Sequence, residues 1–406
     1  MSISFGQSLF IPGGANYVRC GDLDVPGNQI TVEALVTQMG PAINIVSKHQ
    51  GPGDVNYLLR PNQAEITTTN GYVNSPSGLV LNIGQCYHVA FTYDGANLKF
   101  YVNGCLASST PHTGNLIQNN FITAIGNISM NGSESWNGYI DEVRIWNVAR
   151  TQVQIQSNMY NLPTPTIQPG LLAYFTFNGN YLNAQGNPAF NGTLTGAPSL
   201  QNNAACTNVD LSFQNSLVTT DVSCFGDTDG TATITSTGGH PNYQYSVDGV
   251  NYFPLNSVNN LPPGNATIWA SSGIGNGCIE QIPLVIGEPL PIATSVTGTD
   301  PSCTGGNDGT ADLTVNEGTP PYTFSWSTGS TLEDPIDLVA GNNTVAVTDD
   351  NGCTATENII LTDPAPIQTS VTGTDPSCPG TADGTADLTV SGGNPPYTYI
   401  WSSGST

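Results

Sequence analysis

The chain has 406 residues, a length that allows two to four domains. Only 9% of the residues are charged, 6 Lys and Arg stand against 30 Asp and Glu, and the formal net charge is −24. This balance argues against nucleic acid and against anionic membrane surfaces as partners, because both need clustered basic residues. No apolar run reaches the roughly 20 residues of a spanning helix, so we expect no membrane insertion. The first residues lack the basic and apolar regions of a signal peptide.

The charge is divided unevenly along the chain. All 6 basic residues lie in residues 1–150 together with 9 acids, which gives −3 for that segment. Residues 151–406 hold the other 21 acids and no Lys or Arg, which gives −21. With 46 Gly and 29 Pro, both regions suit short strands and tight turns. We therefore expect two different β-rich regions joined end to end.

The segment from Cys86 to Cys105 predicts a β-hairpin. A four-residue turn at 94–97 pairs residues whose numbers sum to 191 and puts apolar side chains on one face, with Phe91 opposite Phe100 and Tyr93 opposite Leu98. The same register places Cys86 opposite Cys105, and we expect a disulfide there. A two-residue Asp-Gly turn would break this match.

Further along, residues 136–150 suggest a buried strand. Thr151 begins a short helical stretch with a Thr-x-x-Gln capping box, and residues 171–177 read as a closing strand. Trp136 is either a core residue or an aromatic that stacks on sugar. The two alternatives stay open from the sequence.

The second half of the chain consists of repeats. Thr294–Cys303 recurs at Thr369–Cys378 with a shift of 75, and a looser copy around Cys224 precedes the second by 79. Each unit of about 75 residues has the size of a small antiparallel sandwich. Pro-rich joints at 288–291 and 363–366 separate them as semi-rigid spacers. We expect these domains: 1–200, a linker at 201–212, and repeats at 213–291, 292–366 and 367–406, the last one truncated.

Nine cysteines are present. Each complete repeat has one at its start and one in a late Asn-Gly-Cys, so we expect Cys224 to pair with Cys278 and Cys303 with Cys353. Cys378 would pair near position 428. Such regular pairing indicates an oxidising compartment, and closing a loop of ~50 residues would contribute about 4 kcal/mol to each unit. The alternative is small buried thiols. The partners of Cys20 and Cys206 stay open.

The repeat motifs resemble the SprB-type repeat of very large Bacteroidetes cell-surface adhesins. The motifs are an early Cys, Asp-Gly-Thr-Ala, Pro-Tyr-Thr before an aromatic residue and Trp, and Asp-Asn-Gly-Cys. The first unit departs from them near Tyr245-Ser246 and at 271–277. This resemblance implies secretion and an Ig-like fold without catalytic residues.

Residues 1–197 resemble the laminin-G-like, concanavalin A-like jelly roll of bacterial secreted proteins. The matching motifs are Asn16-Tyr17-Val18, His88-Val89-Ala90 with Asp94-Gly95, Tyr101-Val102-Asn103-Gly104, and Gly138-Tyr-Ile-Asp-Glu-Val. Cys86-Tyr87 stands where the family commonly has Trp. The resemblance implies binding of glycans or proteins, often with a structural calcium. A fold of this kind is a weak guide to the ligand.

Candidate metal ligands and catalytic residues follow from these motifs. Asp141 is a candidate calcium ligand, although the acid often seen in the family's first strand is missing here. Asp141 and Glu142 cannot form a glycosidase pair if they point to opposite faces of a strand. Asp349 and Asp350, like the other repeat acids, either form Asx turns or bind calcium at unit junctions. Of the four histidines, His88 is interpreted as a strand residue on the outer face of the hairpin.

We therefore predict an all-β, secreted cell-surface adhesin fragment, not an enzyme. A jelly-roll head would bind a glycan or protein ligand, with calcium as the candidate cofactor, on a stalk of Ig-like repeats. The alternative is a non-catalytic carbohydrate-binding region of a larger secreted polysaccharide-degrading enzyme. A third option is a structural stalk with an inert head.

Overall fold

A computed structural model describes residues 6–50, 54–78, 80–128, 134–160, 162, 168–207, 210–273 and 277–405. The chain divides into two compact units. The first comprises Met1–Val218, Thr233–Val258 and Ala266–Leu284, and the second comprises Thr219–Ala232, Asn259–Asn265 and Val285–Thr406. The predicted domain boundaries stay a prediction. Among the described residues, no helix has the length and apolar character needed to cross a bilayer.

Strands predominate in the first 201 residues. In chain order they are β1 (Ser8–Pro12), β2 (Tyr17–Arg19), β3 (Ile30–Gln38), β4 (Val46–Lys48), β5 (Tyr57–Leu59), β6 (Gln63–Thr68), β7 (Gly71–Pro76), β8 (Cys86–Tyr93), β9 (Asn97–Val102), β10 (Cys105–Pro111), β11 (Ala124–Ile125), β12 (Asn137–Trp146), β13 (Leu171–Phe175), β14 (Thr193–Thr195) and β15 (Ser199–Gln201). Helix α1 (Gln152–Ser157) follows β12, and short 3-10 turns occupy Pro188–Phe190 and Ala204–Cys206.

These strands form two antiparallel sheets. The first has the order β10-β9-β8-β3-β12-β1-β15, with β13 also paired to β12, and the second has the order β14-β2-β11-β4-β5-β6-β7. One continuous apolar core lies between them, and alternate residues of each strand supply it, as in Val89, Phe91 and Tyr93 of β8. The predicted all-β jelly roll is confirmed. The core includes Trp136, which is fully buried, so its interpretation as a core residue is confirmed.

The central hairpin has the predicted register. Phe91 pairs with Phe100 and Tyr93 with Leu98. The Asp94 carboxylate closes the turn by accepting hydrogen bonds from the backbone N–H groups of Ala96 (2.9 Å) and Asn97 (2.7 Å). The predicted helix and its cap are also present, because Thr151 and Gln154 form the capping box of α1.

The cysteines pair differently from the prediction. Disulfides join Cys86 to Cys206, Cys105 to Cys278 and Cys224 to Cys353, while Cys20, Cys303 and Cys378 are free thiols. The predicted pairs Cys86–Cys105, Cys224–Cys278 and Cys303–Cys353 are therefore wrong. In the hairpin, the backbone reverses at Asn103 and Gly104, both with positive φ. Cys105 thus begins β10, where it pairs with Val102, instead of extending β9 to face Cys86.

Within the second repeat, strand length keeps the two cysteines apart. Cys353 directly precedes β26 (Thr354–Leu361), whereas the far end of β26 adjoins the Cys303 segment, since Thr362 N donates to Asp300 Oδ1 (2.8 Å). An eight-residue strand spans about 26 Å. A disulfide needs Cα atoms within roughly 7 Å, so Cys303 and Cys353 of one repeat cannot bond.

The repeats consist of short antiparallel strands, as predicted. They are β16 (Gln214–Thr220), β17 (Gly230–Thr237), β18 (Tyr243–Ser246), β19 (Ser257–Leu261), β20 (Gly264–Ser272), β21 (Cys278–Ile286), β22 (Ala293–Thr299), β23 (Thr310–Asn316), β24 (Thr323–Trp326), β25 (Gly341–Thr348), β26, β27 (Gln368–Thr374) and β28 (Thr385–Ser391). In the second repeat, β22 pairs with β23, and β24-β25-β26 form a sheet. Its small core surrounds the buried Trp326 and Leu338.

Candidate ligand-binding surface

The outer face of the first sheet carries a cluster of charged residues that is closed to solvent. Helix α1 covers it, and Ile155 packs on Ala90 and Tyr101. His88 lies on this face, as predicted, but it is completely buried, and its Nε2 is 3.3 Å from Glu33 Oε2. Burial lowers the pKa of His88, although the neighbouring Glu33 acts in the opposite direction. No substrate can reach this histidine in the folded head.

Glu33 is the centre of a buried ion cluster. Its Oε1 accepts hydrogen bonds from Arg150 Nη1 (2.8 Å) and Trp146 Nε1 (2.9 Å) and lies 3.6 Å from Arg144 Nη1. Burial alone would raise the pKa of Glu33, but Arg144, His88 and Arg150 outweigh it and lower the pKa to about 2. The Arg150 guanidinium also stacks 4.3 Å from the Trp146 ring. The cluster has a structural role, because it joins side chains of β3, β8 and β12.

Asp141 and Glu142 point to the same side of the sheet, contrary to the sequence expectation. The ladder between β12 and β3 shifts between Asp141 and Arg144, and Glu142 has a φ of 50°, which marks a β-bulge. Asp141 then accepts from Ser8 Oγ (2.9 Å), and Glu142 accepts from Arg144 Nη2 (2.5 Å). Both carboxyls are 97% buried, so they do not form an accessible acid pair.

Calcium at Asp141 finds no support in its surroundings. Burial and the charge of Glu142 raise the pKa of Asp141 well above its usual range. Calcium needs six to eight oxygen ligands, yet in the described ranges no three His, Cys, Asp or Glu side chains are grouped to hold a metal ion. Calcium binding therefore stays a prediction.

The repeat acids close turns. Asp349 accepts from the backbone N–H groups of Thr319 (2.9 Å) and Cys353 (2.8 Å), whereas its neighbour Asp350 is exposed and donates its backbone N–H to Thr319 O (2.9 Å). Three equivalent bonds run to an Asp from the N–H of the serine six residues before it, in the pairs Ser223–Asp229, Ser302–Asp308 and Ser377–Asp383. Hydrogen bonds from the hydroxyl of each serine, and also from its backbone N–H, lower the pKa of each Asp. Asx-type turns account for these positions.

The second sheet carries a polar group that the sequence did not reveal. We call it the Arg60 patch, and it consists of Asn44, His49, Arg60, Gln63, Glu65, Tyr72 and Glu134. Arg60 follows β5, while Glu65 stands on β6 between two core residues, Ala64 and Ile66, and therefore faces outward. Tyr72 lies on the neighbouring strand β7.

Hydrogen bonds hold the Arg60 guanidinium between two carboxylates. Its Nη2 donates to Glu134 Oε2 (2.9 Å), its Nη1 is 3.3 Å from Glu65 Oε1, and its Nε donates to Asn44 Oδ1 (3.1 Å). Asn44 Nδ2 donates in turn to Glu134 Oε2 (2.9 Å). This network fixes the directions of the polar atoms, and the patch carries a net charge of about −1 with neutral His49.

The Arg60 patch is open to solvent at Arg60, Glu134 and Tyr72, whereas its members Asn44, His49 and Glu65 are buried. Arg60 and Glu134 are about one quarter exposed, and Tyr72 is 51% exposed. Burial and the nearby Glu65 carboxylate raise the pKa of Tyr72 to about 12, so the phenol stays a hydrogen-bond donor. The Arg60 patch borders a pocket of about 330 Å³, which shares Arg60 and Gln63 with it. The pocket is lined by Gln38, Ala42, Ile43, Arg60, Pro61, Asn62, Gln63, Val80 and Leu81. Fixed polar groups next to an exposed aromatic ring and apolar side chains are typical of a ligand site.

Sequence reasoning missed this patch because its residues come from four separate segments. One weak signal was present. In a chain with only 6 Lys and Arg, Arg60 directly follows an apolar strand, and Glu65 interrupts the apolar positions of the next one. Nothing in the sequence connects either residue with Glu134.

Two family models match the chain. Residues 12–156 match a laminin-G model described as the concanavalin A-like lectin/glucanases superfamily. Residues 216–251, 295–331 and 370–406 match the SprB repeat. The Arg60 patch lies within the first of these segments.

Curated relatives and solved structures share parts of the chain. Human pappalysin-1 is 37% identical over 199 residues, covering 41% of this chain and 12% of that protein. Mouse pappalysin-1 is 36% identical over 94 residues, covering 22% of this chain and 6% of that protein. The chain thus spans a small part of these relatives.

Among solved structures, a putative carbohydrate binding protein from Bacteroides ovatus has a TM-score of 0.38 and 22% identity, covering 49% of this chain and 60% of that one. A SAP-like pentraxin from Limulus polyphemus has a TM-score of 0.36 and 14% identity, covering 50% of this chain and 97% of that one. With its two-sheet head and its three matched repeats, the chain carries a domain of the concanavalin A-like lectin/glucanases superfamily followed by SprB repeats.

Proposed function

We propose that the chain is part of a secreted, non-catalytic cell-surface adhesin whose head binds a neutral glycan at the Arg60 patch. The observation that carries the proposal is the contrast between the two sheets. The first sheet buries the Glu33 cluster under α1, whereas the second presents the fixed side chains of Arg60 and Glu134 to solvent beside a pocket. The lectin-type family match supports a binding role for the head, and the SprB repeats support a surface location.

The charges favour a neutral ligand over an acidic one. Glu65 and Glu134 already neutralise Arg60, which is the basic residue of the patch. With a chain charge of −24, an anionic sugar would meet repulsion at long range. Hydroxyl groups, by contrast, can both donate to the partly exposed Glu134 carboxylate and accept from Arg60 and Tyr72.

A glycan array tests this proposal with the intact, oxidised chain, with and without chelator. We expect binding to neutral oligosaccharides, and the chelator arm tests the predicted calcium. Replacing the half-exposed Tyr72 in Tyr72→Ser should weaken the best ligand at least tenfold in calorimetry. The matched control is Val153→Ser, which removes an exposed apolar side chain from α1 (69% exposed) and should leave affinity unchanged.

Melting curves show whether both variants fold. Equal affinity of Tyr72→Ser and the parent would place the ligand elsewhere on the head. If no glycan binds a well-folded parent chain, the lectin role itself is wrong, and a protein ligand or an inert head remains.

A further inference from the structure

The three cysteine turns at the starts of the repeats are equivalent in structure. In each turn, a serine precedes the cysteine, and its N–H donates to an Asp six residues later, at 2.9, 2.9 and 3.1 Å. The cysteines concerned are Cys224, Cys303 and Cys378. Only the first is oxidised, and the other two are exposed thiols.

Cys224 of the first repeat bonds to a cysteine of the second repeat. Its partner Cys353 belongs to the late Asn-Gly-Cys of that repeat, and Cys353 Sγ lies 3.3 Å from Ser223 O. The same turn holds the joint between the repeats, since Gly226 N donates to Glu288 Oε1 (2.7 Å). The disulfide therefore links one repeat to the next across their joint.

The Cys303 turn makes equivalent contacts with the joint between the second and third repeats. Gly305 N donates to Asp363 Oδ1 (3.0 Å), and Thr304 Oγ1 donates to Pro364 O (2.8 Å). Gly305 and Asp363 thus match Gly226 and Glu288 of the preceding joint. The Cys303 turn therefore contacts the joint before the third repeat in the same way as the Cys224 turn contacts the joint before the second repeat.

One further contact shows which part of the third repeat faces Cys303. In the second repeat, Thr319 adjoins the turn that ends at Cys353, because Asp350 N donates to Thr319 O (2.9 Å). The shift of 75 assigns the same position in the third repeat to Asn394, whose Nδ2 donates to Ser302 O (3.1 Å). The late cysteine turn of a third repeat would therefore lie next to Cys303.

We propose that Cys303 is a cross-link site for the late Asn-Gly-Cys of a complete third repeat in the same chain. The two thiols lose two protons and two electrons to form one S–S bond, and a disulfide oxidant such as glutathione disulfide is reduced to two thiols. The head takes the place of a preceding repeat, because its Cys105 bonds to Cys278, the late cysteine of the first repeat.

A covalent ladder of this kind joins every unit to its neighbour. Disulfides within single repeats would instead leave the backbone as the single covalent link at each joint. The proposal concerns the stalk and does not depend on the glycan site.

Non-reducing peptide mapping of the oxidised chain is the first test. We expect cross-linked peptides for Cys105–Cys278 and Cys224–Cys353, with Cys303 and Cys378 alkylated by iodoacetamide. Cross-links Cys224–Cys278 and Cys303–Cys353 within single repeats would overturn the ladder.

The second test completes the third repeat. Thr406 corresponds to Thr331, so a copy of residues 332–366 fused after Thr406 supplies one new Asn-Gly-Cys. We expect Cys303 to become cross-linked to the new cysteine while Cys378 stays alkylatable. In the matched control, the fused copy of Cys353 is replaced by Ser, and Cys303 should react again. A bond from the new cysteine to Cys378, an alkylatable Cys303, or a disulfide-linked dimer of two chains would each overturn the proposal.

Discussion

The buried Glu33 cluster gives a sharp prediction about stability. Replacing the carboxylate in Glu33→Gln keeps the size of the side chain but removes the negative charge between Arg144 and Arg150. Because Glu33 and Arg144 have no exposed side-chain surface, water cannot compensate for the lost charge. We expect the variant to fold and to have a markedly lower free energy of unfolding at neutral pH.

The magnitude follows from the pKa. Folding lowers the pKa of Glu33 from 4.5 to about 2, and at about 1.4 kcal/mol for each pH unit this difference corresponds to about 3 kcal/mol. Removing one partner from a buried ion pair costs about 3 to 5 kcal/mol in other proteins, which is the same range. The matched control is Lys99→Met at the exposed Lys99–Asp94 pair, where the expected loss is below about 1 kcal/mol.

Urea unfolding of the oxidised chain, followed by tryptophan fluorescence, measures both variants between pH 7 and pH 2. Because folding lowers this pKa, the stabilisation by ionised Glu33 is complete above about pH 4.5 and is lost as the pH falls through about 2. The difference between parent and Glu33→Gln should therefore shrink over this interval. A loss below about 1 kcal/mol at pH 7, or a difference that does not change with pH, would refute the reasoning.

Three further predictions concern Asp141, proteolysis and the disulfides. Asp141→Asn replaces a buried carboxyl group whose pKa is raised and keeps the acceptor for Ser8 Oγ. The melting temperature of this variant at pH 7 should therefore equal or exceed that of the parent. A decrease seen in calcium but not in EDTA would instead support a calcium ligand. Trypsin should not cut residues 151–406 even after unfolding, because they contain no Lys or Arg, whereas chymotrypsin should cut at Tyr322–Trp326 only after reduction and denaturation; rapid native cleavage there would contradict a folded second repeat. Stretching single chains by their ends should reveal the bypassed loops, since Cys86–Cys206 and Cys224–Cys353 exclude 120 and 129 residues, together 249, from the extensible length. Reduction should add about 850 Å at about 3.4 Å per residue, and a much smaller gain would contradict these pairings.

Local patterns determined much of the fold. The hairpin register from Phe91 to Phe100 follows from alternating apolar residues and the four-residue turn at 94–97, both of which are short-range signals. The capping box of α1 is likewise local. The repeats follow from the shift of 75, and their strands from the same alternation. The hairpin and the cap involve residues a few positions apart, and the repeats are visible as recurring sequence, so none of these features requires the tertiary structure.

The cysteine pairs show where local reasoning ends. The strands β8 and β9 pair in the predicted register up to Val102, but the turn at Asn103 and Gly104 places Cys105 in β10, which pairs with β9 and not with the strand of Cys86. Cys303 and Cys353 share a repeat, yet the length of β26 separates them. The pairing of the cysteines depends on where the strands end and on how successive units are arranged. The spacing of the cysteines in the sequence does not determine either of these.

The position of the candidate ligand site also depends on the packing of distant segments. Equally polar side chains ended in opposite environments: Glu33 and His88 are fully buried, whereas Arg60 and Glu134 are partly exposed. Asp141 and Glu142 share a face only because a bulge interrupts β12. Strands, repeats and family could be inferred from residue patterns along the chain, because each of them leaves a direct signature in the order of the residues. Only the packing of distant segments decided which charges are buried, which cysteines bond and where a ligand can bind.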